Sequence, residues 1–180
     1  MARSQASDFL QGFRFHVRVT GPTGEDPLRP AGRPDAGFSA VETPKYSIEA
    51  VEYKEGTMVY ARKQPGAPKF EDISMSRGIA RGDTTFWTWA QNTGEGAGEY
   101  RVDLQILVFH RAQALVRTAG DARNTLRINL DRPATIVYVL EAFATGVPLF
   151  GPLEATSSEI AVQELGVAYE TAYREDPPAV

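Results

Sequence analysis

Phe13, Phe15, Val17 and Val19 alternate with Arg14, His16, Arg18 and Thr20. A period of two puts one set on each face of a pleated backbone, so the run predicts a half-buried β-strand. Tyr100, Val102, Leu104, Ile106 and Val108 repeat the pattern against Arg101, Asp103 and Gln105, and then Leu107 and Phe109 turn the polar phase apolar. That strand is expected to end beneath a second element or a neighbouring subunit. Leu126, Ile128 and Leu130 alternate again, and residues 136–140 are apolar in both phases, as in a strand covered on two faces. Residues 156–170 fit two patterns. Thr156-Ser-Ser-Glu159 has the form of a helix capping box, whereas Ile160/Val162 and Leu165/Val167/Tyr169 alternate with one phase slip. A strand with a bulge is the expectation, because matching apolar faces suit closure of a sheet.

Residues 83–93 form the predicted helix. Asp83 stands where a cap is wanted, Phe86, Trp87, Trp89 and Ala90 follow the helical period, and Gly94 is the stop signal. The two tryptophans read as packing residues. Residues 21–37, dense in Gly and Pro, predict a loop, and Gly37 to Val41 a short apolar return to the core. Residues 110–125 are charged and small, a loop or irregular piece.

Between 45 and 78 lies a different pattern. Tyr46, Ile48 and Ala50 share one phase and Val51 and Tyr53 the other, which a bulge near Ala50 would reconcile. A charged excursion punctuated by Gly and Pro follows, through Glu52, Lys54, Glu55, Arg62 and Lys63, before Ile73 and Met75 mark a returning strand. Ordering so long an arm costs chain entropy, so its order is expected to come from outside its own domain. The interleaving of both charge signs with Tyr53, Met58, Val59 and Tyr60 resembles an interface rim with aromatic anchors.

A chain of 180 residues is long enough for one good core, and no internal repeat or domain boundary is visible. One domain over 1–180 is expected, with an N-terminal tail at 1–10, the arm hairpin at 45–78, the helix at 83–93 and a frayed C-terminal tail at 174–180. About six to eight strands plus one helix suggest a mainly β architecture, a two-sheet β-barrel or sandwich. The formal charge of −4 indicates neither a nucleic-acid binder nor a basic membrane-surface protein. With no cysteine, disulfides, thiolate metal sites and a Cys nucleophile are excluded. No apolar run approaches the roughly 20 residues of a membrane helix, and the N-terminus lacks a signal-peptide apolar core, so the expectation is a chain soluble as made, with no direct membrane insertion.

Catalytic constellations are missing. Gly94-x-Gly-x-Gly98 follows a helix and precedes a strand, the reverse of the dinucleotide arrangement. His16 and His110 have no second His or Cys nearby in sequence, so no metal site is expected. Ser157-Ser158-Glu159 lacks a nucleophile elbow and reads as a turn or cap. No catalytic residue, cofactor or metal ligand is assigned, and the chain is not expected to be an enzyme; a small β-barrel enzyme or ligand-binding module is the contrasting class.

Phe15-His-Val17, Gly37-Phe-Ser-Ala-Val41, Val51-Glu-Tyr-Lys-Glu-Gly56, Arg62-Lys-Gln-Pro-Gly66, Lys69 to Gly78 (Lys-Phe-Glu-Asp-Ile-Ser-Met-Ser-Arg-Gly), Phe86-Trp-Thr-Trp89 and Ala155 to Leu165 occur in an order that resembles the T4-type tail tube proteins of contractile phage tails and extracellular injection particles. The departure lies in residues 110–150, where a longer stretch replaces the usual short turn. The resemblance implies a two-sheet barrel with a flanking helix, six copies forming a ring by extending their sheets, and rings stacked into a hollow inner tube within a contractile sheath. Implied partners are further copies of the chain, a sheath protein, baseplate or tube-initiator proteins and cargo in the lumen. Cytoplasmic assembly and extracellular release of the particle go with this reading. A type VI secretion-like tube or effector carrier, or a tube-initiating baseplate paralogue, is the alternative on the same fold. Within that frame Tyr53, Glu55, Tyr60, Arg62 and Lys63 are expected at the contact between rings. A hairpin presenting Arg101, Asp103 and Gln105 on one strand and Arg127, Asn129 and Asp131 on the other is expected to face the lumen.

Overall fold

The computed structural model describes residues 10, 12–22, 28, 37–56, 59–79, 81–98, 100–110, 115–117, 126–128, 130–150 and 160–177. Among them run β1 (Phe15–Thr20), β2 (Ala40–Val41), β3 (Lys45–Tyr53), β4 (Arg62–Glu71), β5 (Ile73–Gly78), α1 (Thr85–Glu95), β6 (Val102–Val108), β7 (Leu115–Arg117), β8 (Leu126–Ile128), β9 (Thr135–Gly146), β10 (Val162–Ala168) and β11 (Thr171–Glu175). These 11 strands exceed the expected number because β2 and β7 are only two or three residues long, too short to display alternation, and β11 reads as polar. β7 lies inside the stretch expected to be a loop and pairs antiparallel with β8. β11 takes in Arg174 and Glu175, so the tail expected to fray from 174 is in ladder register with Val137 and Ile136.

Seven strands join in the order β1-β6-β9-β10-β5-β2, with β11 also on β9. The twelve-residue β9 is the hinge of this arrangement. One of its sides carries β6; the other carries β11 opposite Leu140 to Ile136 and β10 opposite Phe143 to Gly146. Two antiparallel sheets therefore share β9: sheet A is β1-β6-β9-β11, and sheet B is β9-β10-β5-β2. The path does not return from β2 to β1 among the described residues, so the architecture is the expected two-sheet one with the barrel left open.

The inward residues of both sheets make the core: Val17 and Val19 of β1, Leu104 and Ile106 of β6, Val139 of β9, Ile73 and Met75 of β5, Leu165 and Val167 of β10. Helix α1 adds Phe86 and Trp89, both buried, and Trp89 Nε1 donates to the Tyr100 carbonyl at 2.6 Å. The helix starts and stops two residues later than the sequence suggests. Asp83 stays ahead of it, accepting from the Thr85 N–H at 3.2 Å and from Arg77, while Thr84 is the N-cap residue. Gly94 continues the helix, and the left-handed turn falls at Gly96, with φ of 63°, a region that glycine enters without a Cβ clash.

Arg77 is buried. It lies in phase with Ile73 and Met75, and its guanidinium donates to Asp83 Oδ1 at 2.7 Å and to the Leu28 carbonyl at 2.9 Å, with its Cζ 3.6 Å from the Phe86 ring centroid. A cation inside a core must be paired and hydrogen-bonded, and here that requirement ties β5 to the start of α1 and to the loop at Leu28.

Candidate assembly surfaces

Among the described residues β3 and β4 pair only with each other. At about 3.3 Å per residue, their nine-residue ladder makes an arm on the order of 30 Å long. Its base is clamped by the Tyr46–Phe70–Tyr169 ring series, with centroids 5.2 and 5.5 Å apart, and by Lys45 on Glu71 at 2.8 Å. That lysine, through its hydrogen bond first, holds the Glu71 carboxyl below its ordinary pKa. Beyond the base, both strands are exposed.

The register slips where a bulge was expected, between Ile48 and Ala50. The extra residue is on β4: Glu49 stands opposite both Gly66 and Ala67, since Ile48 pairs with Pro68 and Ala50 with Pro65. A Cβ on Gly66 would come within 2.8 Å of the Glu49 carbonyl oxygen, so glycine is required at this close approach. Because β3 itself carries no insertion, its alternation continues and the two apolar sets are not reconciled. Tyr46 and Ile48 lie on one face of the arm, and Val51 and Tyr53 on the other.

Tyr53, Glu55, Tyr60, Arg62 and Lys63 all lie on the distal half of the arm, and all are exposed. Tyr53 Oη donates to Glu55 at 3.2 Å, and Lys63 meets Glu52 at 3.3 Å across the ladder. Val59 and Tyr60 project from the tip at 78% and 84% exposure. Met58 lies outside the described residues.

Sheet A has a core face and an outer face. Reading across the register, one row on the outer face is Arg18, Gln105, Tyr138, Tyr173. Arg18 donates to Gln105 at 3.5 Å, and the Tyr138 and Tyr173 rings stack with centroids 4.7 Å apart. Desolvation first, then a hydrogen bond with Glu175, pushes the Tyr138 phenol above its ordinary pKa. Among the described residues β1 pairs with β6 alone and β11 with β9 alone, so the sheet ends in two open edges.

The expected lumen residues do not share one hairpin. β6 pairs with β1 and β9, whereas Arg127 sits on β8 opposite Val116 of β7; Asn129 lies outside the described residues, and Asp131 is in an exposed turn. Similar alternation in the two segments had suggested a hairpin, but β6 pairs with β9 and β8 with β7. Arg101 and Asp103 are engaged at the bend in β9. There Glu141 has a φ of 55°, its N–H donates to Asp103 Oδ1 at 3.1 Å, and Arg101 binds both Glu141, at 3.5 Å, and Glu170. Hydrogen bonding to Tyr100 and then to Glu170 raises the Arg101 pKa further above its ordinary value. A residue with a Cβ seldom adopts positive φ, and this clasp holds it there. Gln105 alone of the six expected residues falls in the Arg18–Tyr173 row.

The sequence reading missed Tyr138, Tyr173 and the Arg77–Asp83 pair. Arg77 did carry a signal: it continues the phase of Ile73 and Met75, where a charge implies a buried partner. Among the described residues no group of three or more His, Cys, Asp or Glu is placed to hold a metal ion, and no helix is long and apolar enough to cross a membrane.

The sequence matches the family model of the T4-like virus tail tube protein over residues 11–172. Solved structures share the fold. A chain of the structure of the anti-feeding prophage tube-terminating cap is 19% identical, with 98% of this chain and 95% of that one covered at a TM-score of 0.67. A chain of the extended sheath–tube complex of PVC, an extracellular contractile injection system, is 20% identical, covering 96% and 95% at 0.67. A chain of the anti-feeding prophage baseplate is 13% identical, covering 94% and 97% at 0.68. No curated protein matches the sequence.

Proposed function

The chain belongs to the family of T4-like virus tail tube proteins, and from that premise we propose that it is the inner-tube protomer of a contractile injection system, one tube domain whose copies close into six-membered rings. The observation that carries this reading is sheet A. Its four strands alternate in direction, so β1 and β11, the two open edges, run oppositely. A copy related by rotation about a tube axis then brings its β1 antiparallel to β11 of its neighbour, and the sheet continues without a break around the ring. Unpaired edges invite indiscriminate pairing, and ring closure removes them. The edges lean to opposite charge: β1 and its approach carry Arg14 and Arg18, whereas the β11 side carries Glu175 together with Glu170 and Asp176, which Arg101 and Arg174 already engage.

In such a ring the outer face of sheet A lines the channel. Gln105 and the Arg18–Tyr138–Tyr173 row would face passing cargo, Asp103 and Arg101 would border it at the bend, and the turn at Asp131 would sit at one rim. A polar lining suits sliding, since apolar patches would hold what passes. The arm, with Tyr53, Glu55, Tyr60, Arg62 and Lys63, would reach the adjacent ring. The role is structural and not catalytic, with a sheath around the tube and a baseplate below it. Assembly in the cytoplasm and release of the particle follow from that role.

Electron microscopy and analytical ultracentrifugation of the purified protein at high concentration test the reading. Six-fold rings that stack are expected. A protein that stays monomeric at every concentration and in the particle itself would overturn it.

A further inference from the structure

Sheet B is polar along its strands. β5 and β10 run antiparallel with Ile73 opposite Val167 at one end and Gly78 opposite Val162 at the other. The arm belongs to the first end: β4 stops at Glu71, two residues before Ile73, and the Phe70 ring lies 5.5 Å from that of Tyr169 just past β10. At the second end stands another exposed apolar group, Leu149 at 75%, Phe150 at 49%, Ile160 at 79% and Val162 at 39%. These residues are held to the sheet. Gln163, itself buried, donates from Nε2 to the Pro148 carbonyl at 2.7 Å, and the Ile79 N–H donates to the Ala161 carbonyl at 2.9 Å. Ile160 Cγ2 lies 3.6 Å from where a Cβ on Gly78 would stand.

Large apolar groups left open on a soluble surface mark places where something binds. Two of them at opposite ends of one sheet, made of different residues, make a heterologous pair, and such a pair builds open head-to-tail stacks. The arm is the projecting half, with apolar side chains on both faces and at its tip. Leu149, Phe150, Ile160 and Val162 are the half that stays close to the sheet. We propose that this surface is the receptor for the arm of a second copy in the adjacent ring. The inference rests on the tube reading and adds to it the surface that receives the arm. Every stacking step brings the arm end of one ring against the opposite end of the next, so each protomer gives one arm and takes one.

Two variants test it. In F150D/I160D, charges replace two apolar anchors, and centrally placed anchors carry most of an interface's energy, so stacking should weaken by about a hundredfold or more. Rings should persist in ultracentrifugation while tubes disappear from micrographs. Because the chain has no cysteine, Y60C/L149C reports on the contact alone. Oxidation of its tubes should join protomers of adjacent rings into covalent chains longer than six. Full-length tubes of F150D/I160D, or cross-links confined within single rings, would overturn the proposal. Loss of the rings themselves in F150D/I160D would also overturn it, since the surface would then serve ring closure. Failure of the unaltered protein to form rings would instead overturn the tube reading.

Discussion

Arg77 and Lys63 each meet a carboxylate on a β-rich scaffold, Arg77 with Asp83 at 2.7 Å and Lys63 with Glu52 at 3.3 Å. The first pair has side chains 2% and 4% exposed, and the second 71% and 59%. Around Arg77 the chain has supplied a carboxylate, a carbonyl and an aromatic face. Around Lys63 it has supplied a ladder partner and solvent. The junction of β5 with α1 is packed within one protomer, whereas beyond its base the arm is a ladder with exposed side chains on both faces among the described residues. The difference separates what holds this protein together from what it offers to its neighbours.

Breaking the buried pair should have the largest effect. Asp83→Ala leaves the Arg77 guanidinium inside the core without its carboxylate and removes the acceptor for the Thr85 N–H, so unfolding free energy should fall by about 3–5 kcal/mol. Urea denaturation of the protomer measures this. A loss below about 1 kcal/mol would place Arg77 in a wetter site than its burial implies, and would erase the contrast with the arm.

The arm should answer in the opposite way. Arg62→Glu with Lys63→Glu removes an exposed ion pair worth at most about 1 kcal/mol, so the protomer's urea midpoint should barely move. Stacking should suffer, because the change repeats at every protomer of a ring interface. Rings in place of tubes at ordinary salt are the expected micrograph. Full-length tubes from this variant, or a protomer that fails to fold, would show that the arm's charges act elsewhere.

How much of this was legible in the sequence follows from the same contrast. β1 and β6 were clear because one face of each meets the core and the other does not. The arm was legible as something that needs an outside partner, since its apolar and charged residues obey no single face. Its bulge was placed correctly along the ladder but on the wrong strand: reconciling the two phases of 46–53 needs the extra residue in β3, whereas the register and the Gly66–Glu49 approach put it in β4. The lumen hairpin failed for a different reason. Alternation in 126–130 says that a strand exists but not what it pairs with, and β9 had the longer complementary surface for β6. β11 was hidden because Thr171 to Glu175 reads as polar; its place depends on long-range pairing with β9, which no local pattern encodes.

The smallest expected effect sharpens the boundary between the two regions. Lys45 and Glu71 join at the arm's base, and the lysine holds the Glu71 carboxyl below its ordinary value of 4.5. A carboxyl whose folded pKa is depressed stabilises the fold above its unfolded pKa, and that contribution is lost as pH falls through the folded value. Acidification from neutrality to below 4.5 should therefore loosen the base of the arm while the buried Phe86 and Trp89 stay packed. Hydrogen exchange can follow this in the backbone amides of β3 and β4 near Tyr46 and Phe70, compared with those of β6. In Glu71→Gln the pH dependence specific to the arm base should vanish, leaving only the general acid response shared with β6. Equal acid sensitivity of β3 and β6 in the unaltered protein would mean that the arm and the core open together, and the arm would then be no separate unit.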